Sequence, residues 1–287
     1  MMVYDIAVDW LRFVSLFTAL GAVGFYFGVL GRLPAIDAVM RDVLEDRAAT
    51  IGAFGAAGWV LTTLIDVSTA ASEKGISFAA AFTPPTIIRC GALLIAVLAY
   101  VVARRGMTMA WVLGGVALLV GMLYQSTVSA FHGQWARLVN PLHELGGGLW
   151  IGTLFVVVMA GIGGATSREV SGRMSRGTTV ALLIRAFSPV ALVGATLLGV
   201  MGVIAAFRHL TRVDMLWTTA YGATLVGKLI VVLLVIMAGA WNWRRVGPSL
   251  GSDAAVTHIR RSARWELMLA GIVLVITAIL VNLPDPK

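Results

Sequence analysis

Two of the chain's four histidines, His132 and His143, flank a short polar stretch between the long apolar runs 107–131 and 142–165. Imidazole at such a boundary binds metal, carries protons or ligates haem. It suits copper and zinc, and thioethers add affinity for Cu(I). The chain has 12 Met, with Met122 and Met201 inside apolar runs and Met215 in a loop. Carboxylates stand near the same boundary. Glu144 follows His143 directly, and Asp66 lies in a third apolar run with Thr62 and Thr69 on its helical face. Gln125, Ser129 and His132 form a similar stripe, and Asp5, Asp9 and Arg12 cluster near the start. Lys228, with Tyr221 about two turns before it, sits inside another apolar run. Ionisable groups within lipid are expensive, so each needs a partner or a task. Lys228 is expected to snorkel outward or to pair with a carboxylate such as Asp66, and Asp9 with Arg12.

Other chemistries find no residues. The sequence has no Gly-rich phosphate loop and no His-Glu-x-x-His zinc motif, and Ser188-Pro189 has no acid or base placed to activate it. A hydrolase or a kinase is therefore not expected, nor any other enzyme. The single cysteine, Cys90, excludes an internal disulfide and a Cys-x-x-Cys metal site. It reads as a small packing residue.

The elements that must position these groups are membrane helices. The chain is 59% hydrophobic and 13% charged, with mean hydropathy +0.91, against about 25% charged residues in soluble domains. Apolar runs recur at 4–30, 51–72, 86–103, 107–131, 142–165, 178–207, 219–243 and 265–283. A spanning helix needs about 20 residues, and none of these runs alternates as a barrel strand would. The expected fold is an all-α bundle of eight transmembrane helices forming one membrane domain over 1–287. The first run lacks a basic start and follows Asp5, so it is expected to be a span rather than a cleavable leader.

The net charge of +8 is set by topology. Fourteen arginines, among them Arg32, Arg104, Arg105, Arg244 and Arg264, lie in or beside the linkers after spans one, three, five and seven. The opposite side holds six basic residues, including Lys74, Arg89 and Arg212. The positive-inside rule puts the first set in the cytoplasm and both termini outside. No nucleic-acid partner is implied. His132, His143 and His209 then fall on the outer side, and the ionisable groups of spans one, two, four, five and seven are expected to converge at one depth in the outer leaflet. His258 sits in a basic cytoplasmic linker as a solvent or headgroup contact. Glu266 at the inner end is flanked by Arg264, a simple ion pair. Glycines cluster at 52, 55 and 58, at 146–148, and at 194, 199 and 202. Tight helix packing is the plain reading of them, although Gly146–Gly148 could also leave room for an ion or cofactor.

The C-terminal half resembles the copper resistance protein D (CopD) family of bacterial inner-membrane proteins. The resemblance is carried by Arg185-Ala-Phe187-Ser188, Gly202, Thr219-Ala-Tyr221-Gly222 through Lys228, Gly239-Ala-Trp-Asn242, Pro248 and Arg264-Trp-Glu266. Upstream, His143 followed by Trp150-Ile-Gly152 is similar to the family's His-…-Trp-x-Gly pattern. His132-Gly is similar to its Gly-His-Ala, with the order changed and Phe131 preceding. The resemblance extends over about 140–286. It implies copper handling at the outer face and passage inward across the inner membrane, with possible delivery by a periplasmic copper chaperone. His132 and His143 become the expected ligands, with Tyr221, Lys228, Asn242 and Glu266 as structural or pathway positions.

The expected function is thus membrane copper binding and transport in copper homeostasis and resistance. His143 and His132 would carry the copper site, with Asp66, Glu144, His209 or Met201 completing it and Trp150 and Gln125 supporting it. Two alternatives belong to other classes. One is a b-type haem protein with outer-leaflet histidine ligands, and the other is a non-catalytic scaffold for a membrane partner. The topology has its own test. In a Cys90→Ala background, Val213→Cys should react with a membrane-impermeant maleimide added to intact spheroplasts, and Arg105→Cys should not; the opposite pattern would invert the orientation.

Overall fold

A computed structural model describes residues 2–33, 36–125, 136–163, 176–210, 212–246 and 253–284. The side chains of 136–137, 176, 242–243, 245–246, 253–258 and 260 lie outside that description. Every long element is a helix. The first, α1 (Met2–Val23), runs on through π-helical Gly24–Val29 and a tight turn, Leu30–Arg32. Then come α2 (Ala38–Lys74), α3 (Pro84–Ala103) and α4 (Thr108–Gln125). The fifth, α5, begins as Ala136–Gly147 and continues through π-helical Gly148–Gly152, one turn Thr153–Val156 and π-helical Val157–Ile162. The last three are α6 (Arg176–His209), α7 (Ala220–Val246) and α8 (Asp253–Val281), with a short turn, Met215–Thr218, before α7. All eight contain a stretch long and apolar enough to cross a membrane, as the hydropathy pattern predicts.

The boundaries differ from the apolar runs for identifiable reasons. Helix α2 starts at Ala38 rather than near residue 51. Its polar first turns still bury Met40, Leu44 and Ala48 at four-residue spacing, so one face packs while the charged face stays outside. Helix α3 starts at Pro84, because Thr83 caps it by accepting from Thr86 N at 3.4 Å and proline suits a first helical position. Helix α5 starts before His143, with Pro141 inside it. His143 and Glu144 therefore lie within the helix instead of at its mouth.

Helices α1 and α5 form the axis of the bundle. Their apolar windows are 67% and 61% buried, against 11% for α6 and for α7. Small residues make this possible. A Cβ on Gly55 of α2 would stand 2.6 Å from the backbone nitrogen of Ala19 and 2.8 Å from the Ser15 carbonyl. On α5, a Cβ on Gly152 would run into the Phe17 carbonyl and Gly21 of α1, and one on Gly148 would stand 2.6 Å from Leu20. On the other side of α5, Gly146 would meet Leu198 N at 2.5 Å, and Gly194 of α6 would meet Trp150 N at 2.7 Å. Backbones in lipid attract mainly by close packing, which a side chain at these points would prevent. Tyr100 of α3 fills the notch at Gly52 and donates its hydroxyl to Ala19 O at 2.5 Å. Substituting Gly152 or Gly21 by Ala should destabilise the protein by about 1–3 kcal/mol. Gly199→Ala, where a Cβ meets nothing within 4 Å, should be neutral or stabilising. Thermal unfolding in detergent checks this, and equal midpoints for Gly152→Ala and Gly199→Ala would count against the crossing.

Candidate metal site

The glycine crossing of α5 and α6 fixes His143. One turn before Gly146, the imidazole reaches across to α6, and its Nδ1 lies 2.9 Å from the Leu198 carbonyl. A carbonyl only accepts, so Nδ1 carries the proton and Nε2 keeps its lone pair. Metal-binding histidines are oriented in this way by a partner on the second nitrogen. Gly202 provides the space, since a Cβ there would stand 2.9 Å from His143 Cε1. Lys228 of α7 is within electrostatic range of the ring. Met201 is three residues after Leu198 and next to Gly202, on the flank of the face that holds the ring.

Glu144 belongs to a different neighbourhood. One residue on, the helix has turned by about 100°, and the charge within its range is Arg12 of α1. Arg12 is the centre of a network. Its Nη1 lies 2.9 Å from Asp9 Oδ1. Its Nη2 lies 2.8 and 3.0 Å from the two Asp66 oxygens. Arg89 of α3 approaches Asp66 at 3.8 Å, and Asn282 donates to Asp9 Oδ2 at 2.7 Å. Four helices (α1, α2, α3 and α8) are thereby joined beneath a cleft of about 250 Å³ lined by Asp5, Asp9, Arg12, Asp66, Glu73 and Asn282.

The single outer site expected from the sequence is therefore two neighbourhoods on opposite sides of α5. The Asp9–Arg12 pair is present. The suggested pairing of Lys228 with Asp66 is not, because Arg12 and Arg89 occupy that carboxylate. Thr62 does not serve Asp66 either: its hydroxyl, like that of Thr63, donates to the Trp59 carbonyl. Gln125 accepts from Trp59 Nε1 at 3.0 Å and so holds α4 to α2. Trp150 packs its backbone on Gly194. His209 lies against Tyr221, ring centroids 5.4 Å apart, and Tyr221 in turn packs with Leu225 and Leu280. Glu266 accepts from Ser262 at 3.4 Å and faces Gly239 of α7. His132 and Ser129 lie outside the described residues, as do the side chains of Asn242 and His258. The space beside Gly146–Gly148 that an ion or a porphyrin would need is filled by Leu198, Phe17 and Leu20. Among the described residues, no three His, Cys, Asp or Glu side chains come together as metal ligands.

Sequence reasoning counted Arg89 only toward the charge of the outer side and passed over Asn282. Their signals were a basic residue within two turns of the Thr83 cap, and an amide at the end of an apolar run. The network makes a quantitative demand. Arg12→Gln and Asp66→Asn should be coupled by about 0.5–3 kcal/mol in unfolding free energy, and Asp66→Asn with Lys228→Met should add within about 0.5 kcal/mol. A double-mutant cycle in detergent measures both, and additivity of the first pair would remove the ion pair from the account.

Comparison with known proteins gives one finding and two blanks. No curated protein and no solved structure matches the chain. The family model described as copper resistance protein D matches residues 181–280, from within α6 through α7 to the end of α8. That stretch holds Leu198, Met201, Gly202 and Lys228, the α6 and α7 sides of the His143 neighbourhood, so the resemblance read from the sequence is shown there.

Proposed function

We propose that the chain is an integral membrane protein of copper homeostasis and resistance. It binds copper at the outer side of the bacterial inner membrane and passes it inward. The observation that carries this reading is the fixed His143 ring, whose Nδ1 donates to Leu198 O, a carbonyl within the α6 segment that the copper resistance family model matches. In this reading both termini are outside, and copper arrives from a soluble periplasmic carrier. The sequence has no nucleotide-binding motif, so movement follows the copper gradient or is coupled to another ion.

The chain's residues divide the work. Leu198 O holds the imidazole in its ligating tautomer, and Gly202 lets the ring lie against α6. The Arg12 network keeps α1, α2, α3 and α8 together beside it. No bond is made or broken in the cargo, so these groups bind, orient and exclude lipid rather than catalyse.

Copper loading of the purified full-length protein tests the proposal. His143→Ala should weaken copper binding by at least about a hundredfold, and Gly202→Val, which displaces the ring, by about ten- to a hundredfold. His209→Ala should leave it intact. Equal copper stoichiometry and affinity in wild type and His143→Ala would sink the site.

A further inference from the structure

We infer that Asp66 is held in turn by two arginines, and that its transfer from Arg12 to Arg89 is the catch that opens the cleft between α1 and α2. The inference goes beyond the copper reading and does not depend on it.

The cleft has two walls. Tyr4, Asp5 and Val8 of α1 line one, and Ile65, Thr69 and Glu73 of α2 line the other. Among the described residues, the ion pair that joins the two walls is Arg12 Nη2 on both Asp66 oxygens, at 2.8 and 3.0 Å. One turn further along α1 the helices are locked together. A Cβ on Gly58 would run into Ser15 Oγ, and one on Gly55 would stand 2.6 Å from Ala19 N. Any separation is therefore a splaying of the start of α1 from the end of α2, hinged at that crossing.

A second arginine is placed to release the pair. The Arg89 side chain is 12% exposed, and its Nη2 stands 3.8 Å from Asp66 Oδ2, within ion-pair range but too long for a hydrogen bond. Its Nε is buried and finds no acceptor among the described residues. A buried donor left unmade is costly, most of all on a charged group, and the carboxylate that would satisfy this one is taken by Arg12. Asp9 has partners of its own, Arg12 Nη1 at 2.9 Å and the Asn282 amide at 2.7 Å. On transfer, Arg12 stays with Asp9 and Asn282 on the α1 and α8 side. Arg89 closes its Nε and Nη2 fork on Asp66 on the α2 and α3 side. Each carboxylate keeps a guanidinium, and no proton moves. The bond across the cleft is lost while both walls stay satisfied, which brings the two states close in energy, as a two-state element requires. A static network gives both arginines the same task and predicts the same sign for the loss of either. Exchange predicts opposite signs.

A reporter cysteine in the cleft distinguishes them. The full-length protein in nanodiscs carries Cys90→Ala and Thr69→Cys, and the rate of reaction with a water-soluble maleimide is measured. Arg12→Gln, which removes the catch, should speed the reaction by about fivefold or more, and Arg89→Gln, which removes the alternative partner, should slow it by about threefold or more. A single size-exclusion peak establishes that each variant folds. Arg89→Gln retains the Arg12–Asp66 pair, so it decides the matter even where Arg12→Gln does not fold. A rate that rises or stays level in Arg89→Gln would overturn the exchange, as would one that falls or stays level in folded Arg12→Gln.

Discussion

Contact between helix backbones is the constraint on which the rest of this structure depends. Lipid gives apolar helices no reason to leave it for one another, so association needs surfaces that meet without side chains between them. Here α5 is gripped from both sides, by Phe17 and Gly21 of α1 and by Gly194 and Leu198 of α6. The contact does more than hold the bundle. It brings the α6 backbone close enough for a carbonyl to accept from His143, and it sets the phase by which Glu144, about 100° further round α5, comes within electrostatic range of Arg12. A looser crossing would leave the imidazole without its partner.

The two neighbourhoods on either side of α5 have opposite characters. Toward α1 there are charges that satisfy one another: Arg12 lies between Asp9 and Asp66, and their side chains keep 18%, 15% and 33% of their exposure. Such pairs within a membrane offset desolvation with geometry, and they fix which helices adjoin. Toward α6 and α7 the groups are few and largely neutral. That asymmetry makes one side a clamp of paired charges and leaves the other with a single oriented imidazole.

Much of the fold was legible in the sequence because hydrophobic thickness imposes helix length. Eight runs gave eight helices, and the glycine clusters marked the crossings. What stayed hidden depended on angle and partner choice. His143 and Glu144 are adjacent in sequence and looked like one site, yet a single residue of helical rotation separates them. Lys228 and Asp66 were both intramembrane charges in search of a counterion, and nothing in their spacing could reveal that Arg12 and Arg89 had taken the carboxylate. The start of α2 was missed because its first turns carry charges on one face, which lowers the mean hydropathy without breaking the buried stripe of Met40, Leu44 and Ala48.

The π-helical segments of α1 and α5 carry a consequence for how the chain can vary. Each such bulge accommodates one extra residue while the flanking turns keep their packing, and one residue advances the helix by about 100°. Helix α5 has two, at Gly148–Gly152 and Val157–Ile162, both after His143 and Glu144 in the chain. They act as phase shifters between its two ends. The orientation of the N-terminal end, with its imidazole and carboxylate, is thereby uncoupled from that of the C-terminal end near Arg47. A single-residue deletion within either bulge can be absorbed by unwinding it to a regular helix, whereas the same deletion between His143 and Gly146 would rotate the ring off α6 altogether.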